Sequence, residues 1–314
     1  MAHPVSNTFT AFDAVGNRED LADAIYDISP IDTPIMSSIA RNSAAAVLHE
    51  WQTDALAAAS SSNAVGEGFD ATTDAVTATT RLSNTCQIAD KVVRISGTQE
   101  VVNKAGRSSE MAYQLAKKGR ELKRDMEAII TRNGAEAAGD VSTARQLGAI
   151  PSWITTNTSN GTSGSDGSLG NTARTDGTQR AFTENLLKGV LRDVWDNGGD
   201  PECIFVGAFN KQKFSEFTGN ATRFKSAEDS KLSAAIDLYD SDFGELEVIP
   251  NRFMRARDAL LVQKDMMALS YLRPFVTHDL AKTGDSERKQ LLVEFTLEMR
   301  NEAAHGAVWD LTTS

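Results

Sequence analysis

Residues 109–130 constrain the fold more than any other segment, because their apolar side chains recur at steps of three, four and seven residues. That spacing places them on one face and predicts a single long helix. We expect Ser108 or Ser109 to cap its start and Asn133-Gly134 to end it in the left-handed conformation. The residues predicted to form its buried face are Met111, Leu115, Leu122, Met126 and Ile129.

The remaining surface of this helix is basic, with Lys117, Lys118, Arg120, Lys123 and Arg124. Taken alone, the pattern is typical of a core helix with one solvated face. The charge distribution offers a second interpretation. Residues 1–90 carry twelve acidic and three basic side chains, a net charge of −9, whereas residues 91–132 carry ten basic and five acidic ones, a net charge of +5. Two such surfaces could meet within one chain or between copies.

Composition excludes several classes of protein. A chain of 314 residues with 40% apolar and 24% charged side chains is globular, with one large or two ordinary domains. Its net charge of −11 argues against a general nucleic-acid binder. No apolar run approaches the ~20 residues that span a bilayer, and the first residues lack the features of a signal peptide. Cys86 and Cys203 are expected to be buried free thiols in a reducing cytoplasm.

Residues 1–45 do not resemble the start of a self-contained domain. A short helix is predicted to begin near Asn17, but the segments around Pro30 and Pro34 require extended or turned backbone. We interpret residues 1–45 as an arm that lies either across its own domain or on a neighbour.

Residues 46–97 predict a long β-hairpin. Residues 47–52 and 81–97 alternate as strands do, and residues 55–80 between them are almost all small or polar. A two-stranded hairpin is marginal by itself, so we expect it to need a surface to lie on. The Ala/Ser-rich stretch 55–64 could instead be a flexible linker.

The second half of the chain is predicted to mix helices and strands. Residues 155–177 have the composition of a long surface loop. Helices are predicted at 183–195 and 208–217, and strands at 203–207, 243–250, 259–263, 290–300 and 307–311. A turn is expected at 283–285. Glu294 and Glu298 share one strand face, where we expect them to pair with cations from adjacent strands.

No pattern of catalytic chemistry is present. The sequence lacks the phosphate-loop, dinucleotide, zinc and nucleophile-elbow motifs. Its four histidines, His3, His49, His278 and His305, are scattered without ligand spacing. We therefore expect no cofactor, no metal and no enzymatic activity.

The order of an arm, a hairpin, a long helix, an α/β block and returning strands resembles the major capsid protein of tailed bacteriophages, which has the Hong Kong 97-type fold. The stretch from Gly16 to Pro34 is similar to the arm of one group of phage head proteins. Residues 242–252, 269–274, 280–285 and 294–298 are similar to the C-terminal half of the same group of phage head proteins.

The resemblance implies an α+β fold with five parts. These are an N-terminal arm (1–45), an extended hairpin loop (46–97), a peripheral domain with a spine helix (98–180), an α/β axial domain (181–270) and closing strands of the peripheral domain (271–314). The spine helix should then pack on the closing strands around 291–299.

The implied function is structural: hexamers and pentamers of an icosahedral virion shell that encloses double-stranded DNA without a membrane. The shell would assemble in the bacterial cytoplasm, with a portal and with scaffolding or decoration proteins as partners. Some members of this fold cross-link a loop lysine to an asparagine, but residues 46–90 contain no lysine, so we expect a non-covalent shell.

Candidate contacts between subunits follow from the charge split and the hairpin. They are Arg18, Glu19, Asp20, Asp23, Asp27, Trp51, Glu67, Asp70, Lys117, Arg120, Lys123 and Arg124. Two alternatives remain at this stage: an encapsulin-like shell of the same fold that carries an enzyme cargo, and a soluble α/β enzyme.

Overall fold

The computed structural model describes residues 32–217 and 238–314, apart from residues 69, 71, 72, 74, 104, 105 and 107. The short helix expected near Asn17 lies outside these residues. The helices described are α1 (Pro34–Ser38), α2 (Gly97–Val101), α3 (Glu110–Thr131), α4 (Ile150–Trp153), α5 (Glu184–Asp196) and α6 (Ala208–Ser215). The first four strands are β1 (Ala40–Ser43), β2 (Leu48–Thr53), β3 (Thr80–Thr85) and β4 (Gln87–Ser96). The others are β5 (Thr158–Ser159), β6 (Cys203–Val206), β7 (Leu238–Ser241), β8 (Gly244–Pro250), β9 (Ala259–Val262), β10 (Met267–Leu280), β11 (Ser286–Met299) and β12 (Gly306–Val308).

The predicted long helix is confirmed as α3. Ser109 caps it by accepting a hydrogen bond from the backbone N–H of Ala112 at 3.2 Å. The prediction that a left-handed residue ends the helix was wrong. Arg132 turns the chain into extended backbone (φ −66°, ψ 158°), and neither Asn133 nor Gly134 has a left-handed conformation. The Arg132 guanidinium donates to the side chain of Gln146 at 2.8 Å, which holds this exit in place.

Helix α3 packs on a four-stranded sheet with the order β1-β10-β11-β4. Leu122, Met126 and Ile130 are fully buried in one core with side chains of β11, as expected for a spine helix. Met111 instead packs with Val93 and Ile95 of β4, so the helix rests on two strands rather than on the closing strand alone. Leu115 and Ile129 are half-buried against the same core.

Strands β10 and β11 form a long antiparallel hairpin, and its turn contains Gly284 at φ 103°, which confirms the predicted turn. The register shifts twice beside Pro274, which has no N–H to donate to a ladder.

A six-stranded sheet follows the order β5-β12-β9-β6-β8-β7. Along β6, Cys203 and Phe205 belong to the core shared with α3, whereas Ile204 and Val206 belong to a second core under α5 and α6. This alternation explains why β6 is buried on both faces and lacks the polar positions of a surface strand.

Three sequence-based expectations need correction. The segment predicted to run as one strand over 81–97 breaks at Cys86, where β3 leaves the hairpin and β4 enters the four-stranded sheet. Strand β12, in the segment expected to close the peripheral domain, pairs with β5 and β9 in the six-stranded sheet. Pro34 starts helix α1, because proline suits the first turn of a helix.

Candidate assembly surfaces

The hairpin tip projects without cover. Residues 54–79 contain no strand among the residues described there, and all of those are exposed. Leu56 is 100% exposed and Val76 is 97% exposed, although both are apolar. Glu67 and Asp70, two of the predicted contact residues, are also exposed in this tip. The tip therefore offers both apolar and acidic side chains to another molecule.

The hairpin root, in contrast, is fixed to its own subunit. The ring of Trp51 is half-buried, and its centroid lies 5.4 Å from the centroid of the Trp153 ring. The Asn84 side-chain amide donates to the carbonyl oxygens of Leu297 (2.8 Å) and Gly148 (3.1 Å) and accepts from Gly148 N–H (2.8 Å). Asn84 thus replaces the ladder bonds that are lost when the chain leaves the sheet at Cys86.

The carboxylate of Glu298 joins three strands at this root. Its Oε2 accepts from His49 of β2 (3.0 Å), Asn42 of β1 (3.1 Å) and Ser270 of β10 (2.7 Å). Its Oε1 accepts from Arg300 at 3.0 Å. Burial by itself would raise the pKa of Glu298, but these hydrogen bonds outweigh burial and lower it to about 2.

Glu294, on the same strand face, confirms the expectation that these carboxylates pair with cations. Its oxygens lie 2.6 Å from Arg145 and 2.7 Å from Arg273, and Arg273 is its cross-strand neighbour. Arg145 fastens the loop before α4 to the sheet in this way.

The end of the N-terminal arm is held by Glu127 of α3, whose carboxylate is fully buried. It accepts from the backbone N–H groups of Ile35 (2.9 Å) and Met36 (3.0 Å) and from the side chain of Asn251 (2.6 Å). Burial raises the pKa of Glu127 despite these donors. The long helix therefore fixes the point where the arm enters the described structure.

The basic face of α3 points outward. Lys117, Arg120 and Lys123 are exposed, and Lys118 pairs with Glu121 at 2.6 Å. The Arg124 guanidinium lies over the ring of Phe253, 5.1 Å from its centroid, which extends the basic surface toward the β8–β9 turn.

A buried arginine–aspartate cluster holds the loop that was predicted to lie on the surface. Asp310 accepts from Arg174 at 2.9 Å, from Arg257 at 2.8 Å, and from the N–H groups of Gly161 (3.1 Å) and Gly177 (3.0 Å). The side chains of Arg174 and Asp310 are both fully buried. Burial would raise the pKa of Asp310, yet the donors keep it below its ordinary value.

Asp258 lies beside this cluster, but its pKa is shifted in the opposite direction from that of Asp310. It is 1% exposed, and its nearest cation is Arg255, 3.4 Å from its Oδ2. Burial raises its pKa to about 7, and the neighbouring arginines offset only part of that effect.

Within the described residues, no group of three or more His, Cys, Asp or Glu side chains is arranged to hold a metal ion. No helix in the part of the chain that the structure describes is both long and apolar enough to cross a membrane.

Comparison with known proteins identifies the family. The profile of the SU10 major capsid protein family matches residues 5–312. The chain belongs to the SU10 major capsid protein family. The major capsid protein of Escherichia phage Phieco32 is 27% identical over 346 aligned positions that cover 98% of both proteins.

Solved structures agree on the fold. The Cyanophage A-1(L) capsid asymmetric unit superposes with a TM-score of 0.69 at 11% identity and covers 98% of this chain and 100% of that one. A structure from Gordonia phage Cozz gives 0.61 at 10% identity, with 100% and 98% covered. This capsid protein therefore has the mixed α/β, Hong Kong 97-type fold of phage capsids.

A phage major capsid protein forms the icosahedral shell of the virion, so the role is structural and not enzymatic. The family assignment supports the phage shell over the encapsulin-like alternative.

The predicted contact residues of this capsid protein fall into three groups. The arm residues Arg18, Glu19, Asp20, Asp23 and Asp27 lie outside the described structure. Trp51 packs inside its own subunit and anchors the hairpin root. Glu67 and Asp70 of the tip, with Lys117, Arg120 and Lys123 of α3, are exposed, whereas Arg124 is half-buried.

Sequence reasoning missed the buried Glu127, Arg174 and Asp310. Glu127 gave no signal, because a glutamate in a charged helix is ordinarily solvated. The sequence did contain a signal for the cluster. Three arginines, Arg252, Arg255 and Arg257, occur in the short segment 251–258 between two predicted strands.

Proposed function

We propose that this capsid protein assembles into hexamers and pentamers whose contacts are made by the exposed hairpin tip of one copy on the next. One observation carries the proposal: the described residues of the segment 54–79 are all exposed, although the hairpin root is fixed by Trp51, Asn84 and Glu298. A fixed root limits the directions in which the tip can reach, and this lowers the ordering cost of each contact.

The charge split supports a specific form of this contact. The exposed bases Lys117, Arg120 and Lys123 on α3 face away from their own core. Residues 54–79 of the hairpin contain four acidic side chains and no lysine or arginine. We propose that the basic face receives an acidic surface of the adjacent copy, either the hairpin tip or the N-terminal arm. Two different surfaces on each subunit are what ring closure requires.

Several finer properties belong to the same proposal. The shell is non-covalent, since residues 46–90 offer no lysine for a tip cross-link. It assembles in the bacterial cytoplasm, encloses double-stranded DNA without reading its sequence, and works with a portal and with scaffolding or decoration proteins. An acidic protein of net charge −11 suits this role because it does not adhere to the packaged phosphates.

Charge reversal tests the contact. The triple variant Arg120→Glu, Lys123→Glu and Arg124→Glu should form far fewer shells in electron micrographs while its subunits melt within a few degrees of wild type. A variant of equal charge change, Lys213→Glu with Lys282→Glu and Lys289→Glu, alters exposed or half-buried bases elsewhere and should assemble normally. Normal assembly of the first variant would contradict the proposed contact.

A further inference from the structure

The sequence contains three Asn-Gly pairs: Asn133-Gly134, Asn160-Gly161 and Asn197-Gly198. Asparagine followed by glycine is prone to deamidation in water, because glycine has no side chain to hinder attack by its own backbone nitrogen. That nitrogen must reach the side-chain carbonyl carbon of the asparagine. A fold that holds the asparagine side chain or the glycine N–H in hydrogen bonds therefore suppresses the reaction, and the three pairs differ in this respect.

Two of the pairs are held by the arginine–aspartate cluster. The side chain of Asn133 donates to the carbonyl oxygen of Arg174 (2.8 Å) and accepts from its backbone N–H (3.1 Å). The side chain of Asn160 accepts from the Arg174 guanidinium at 3.1 Å. The attacking nitrogen of this second pair is also engaged, since the N–H of Gly161 donates to Asp310 at 3.1 Å. Both asparagines are half-buried, so neither pair can react without opening packed structure.

The third pair lies at the exposed end of α5. Asn197 and Gly198 are both exposed, and Gly198 has a φ of 82°. A Cβ atom added to Gly198 would have no heavy atom within 4 Å, so the approach to this pair is open. The Gly198 N–H donates to the carbonyl oxygen of Trp195 at 2.9 Å, and this bond must open before the nitrogen can react. It belongs to the last turn of a helix, and such turns fray.

Tertiary contacts also hold this asparagine less firmly than the other two. Among the described residues, the side chain of Asn197 makes one hydrogen bond outside α5, to Asn157 at 2.7 Å. Its second bond, to the carbonyl oxygen of Asp193 at 2.9 Å, stays within the helix. We infer that Asn197 is a site of spontaneous deamidation in this capsid protein, and that the folded chain reacts there faster than at its other two Asn-Gly pairs.

The reaction needs only water and a base in solvent. The Gly198 nitrogen gives its proton to the base and forms a bond to the side-chain carbonyl carbon of Asn197. The bond from that carbon to Nδ2 breaks, and ammonia leaves after it takes a proton from water. Water then hydrolyses one of the two carbonyls of the resulting succinimide ring. One opening gives aspartate at position 197 and the other gives isoaspartate, without oxidation or reduction.

Deamidation changes a contact that holds the end of α5. Asn157 is fully buried, and its Nδ2 donates to the carbonyl oxygens of Ala303 (2.7 Å) and His305 (2.9 Å), so its side-chain oxygen faces Asn197. A carboxylate in place of the Asn197 amide brings two acceptors together. It also adds negative charge at the C-terminal end of α5, where the last turn has no basic residue. The reaction therefore weakens the attachment of α5 to the segment that carries Asn157.

Peptide mass spectrometry of the aged protein tests the site. The purified full-length chain is kept in mildly alkaline buffer, and aspartate and isoaspartate are measured at each pair over time. Deamidation at Asn197 should be at least about fivefold faster than at Asn133 or Asn160, because each of those must break at least one more tertiary hydrogen bond. In concentrated urea the three rates should converge, since the dipeptide is the same. Equal rates in the folded chain, or a preference for Asn197 that persists in urea, would overturn the inference.

Melting temperatures test the consequence. Asn197→Asp should melt at least about 3 °C below wild type. Asn63→Asp makes the same charge change in the exposed hairpin tip and should melt with wild type. Ageing should lower the melting temperature of wild type toward that of Asn197→Asp and leave Asn197→Gln unchanged, because glutamine cyclises far more slowly. If Asn197→Asp melts with wild type, or if deamidated wild type keeps its melting temperature, the proposed effect on α5 is wrong. None of these outcomes depends on whether the chain forms shells.

Discussion

Removing the charge of Glu298 should loosen the root of the hairpin. This carboxylate accepts from His49, Asn42, Ser270 and Arg300, and its pKa of about 2 lies well below the ordinary 4.5. A difference of that size corresponds to about 3 kcal/mol in favour of the ionised form in the folded state. Glu298→Gln should therefore lower the free energy of unfolding at pH 7 by about 3 kcal/mol, because the amide cannot accept from all four donors.

The pH dependence gives this prediction its sign. A carboxyl group whose pKa is lowered by folding stabilises the protein above pH ~4.5, and this contribution is lost as the pH falls toward 2. Urea unfolding of wild type and Glu298→Gln should thus differ most at neutral pH and converge in acid. Glu287→Gln, on the same strand with an exposed ion pair to Lys282, should cost less than about 1 kcal/mol. Equal stability of Glu298→Gln and wild type at pH 7 would refute the assigned role.

Two other predictions concern buried charge. Asp310→Asn should destabilise the subunit by about 3–5 kcal/mol, because it leaves the fully buried Arg174 without its main partner. Asp176 is partly exposed, so Asp176→Asn should destabilise the subunit by only about 1 kcal/mol. Urea midpoints of the two variants would check this order. His305 is fully buried with its pKa lowered to about 4 by burial, so wild type should lose about 3 kcal/mol as the pH falls from 6.5 to 4. His305→Gln should flatten that part of the pH–melting profile, and an unchanged slope would count against a neutral buried imidazole.

Much of this fold could be predicted from local pattern. The apolar period of α3, the Ser109 cap and the short apolar run of β6 arise from forces between near neighbours in sequence, and the structure confirms all three. The Gly284 turn belongs to the same group, because its positive φ favours glycine whatever surrounds it.

The misses have a common physical origin in contacts between distant residues. The break at Cys86 depends on Asn84 reaching Leu297, more than two hundred residues away, and no local propensity records that bond. Residues 155–177 have the composition of a solvated loop, yet Asp310 gathers them into a packed cluster through Arg174 and the N–H groups of Gly161 and Gly177. Polar segments can be buried when their hydrogen bonds are satisfied, and composition cannot show whether they are.

The most direct test of the account is cryo-electron microscopy of assembled particles, combined with denaturing gel electrophoresis of the same sample. We predict closed icosahedral shells in which residues 54–79 of each subunit lie on an adjacent copy, and a single band at the subunit mass of 33.9 kDa. Particles in which the hairpin tip folds back on its own subunit, or a ladder of covalently joined subunits, would contradict it.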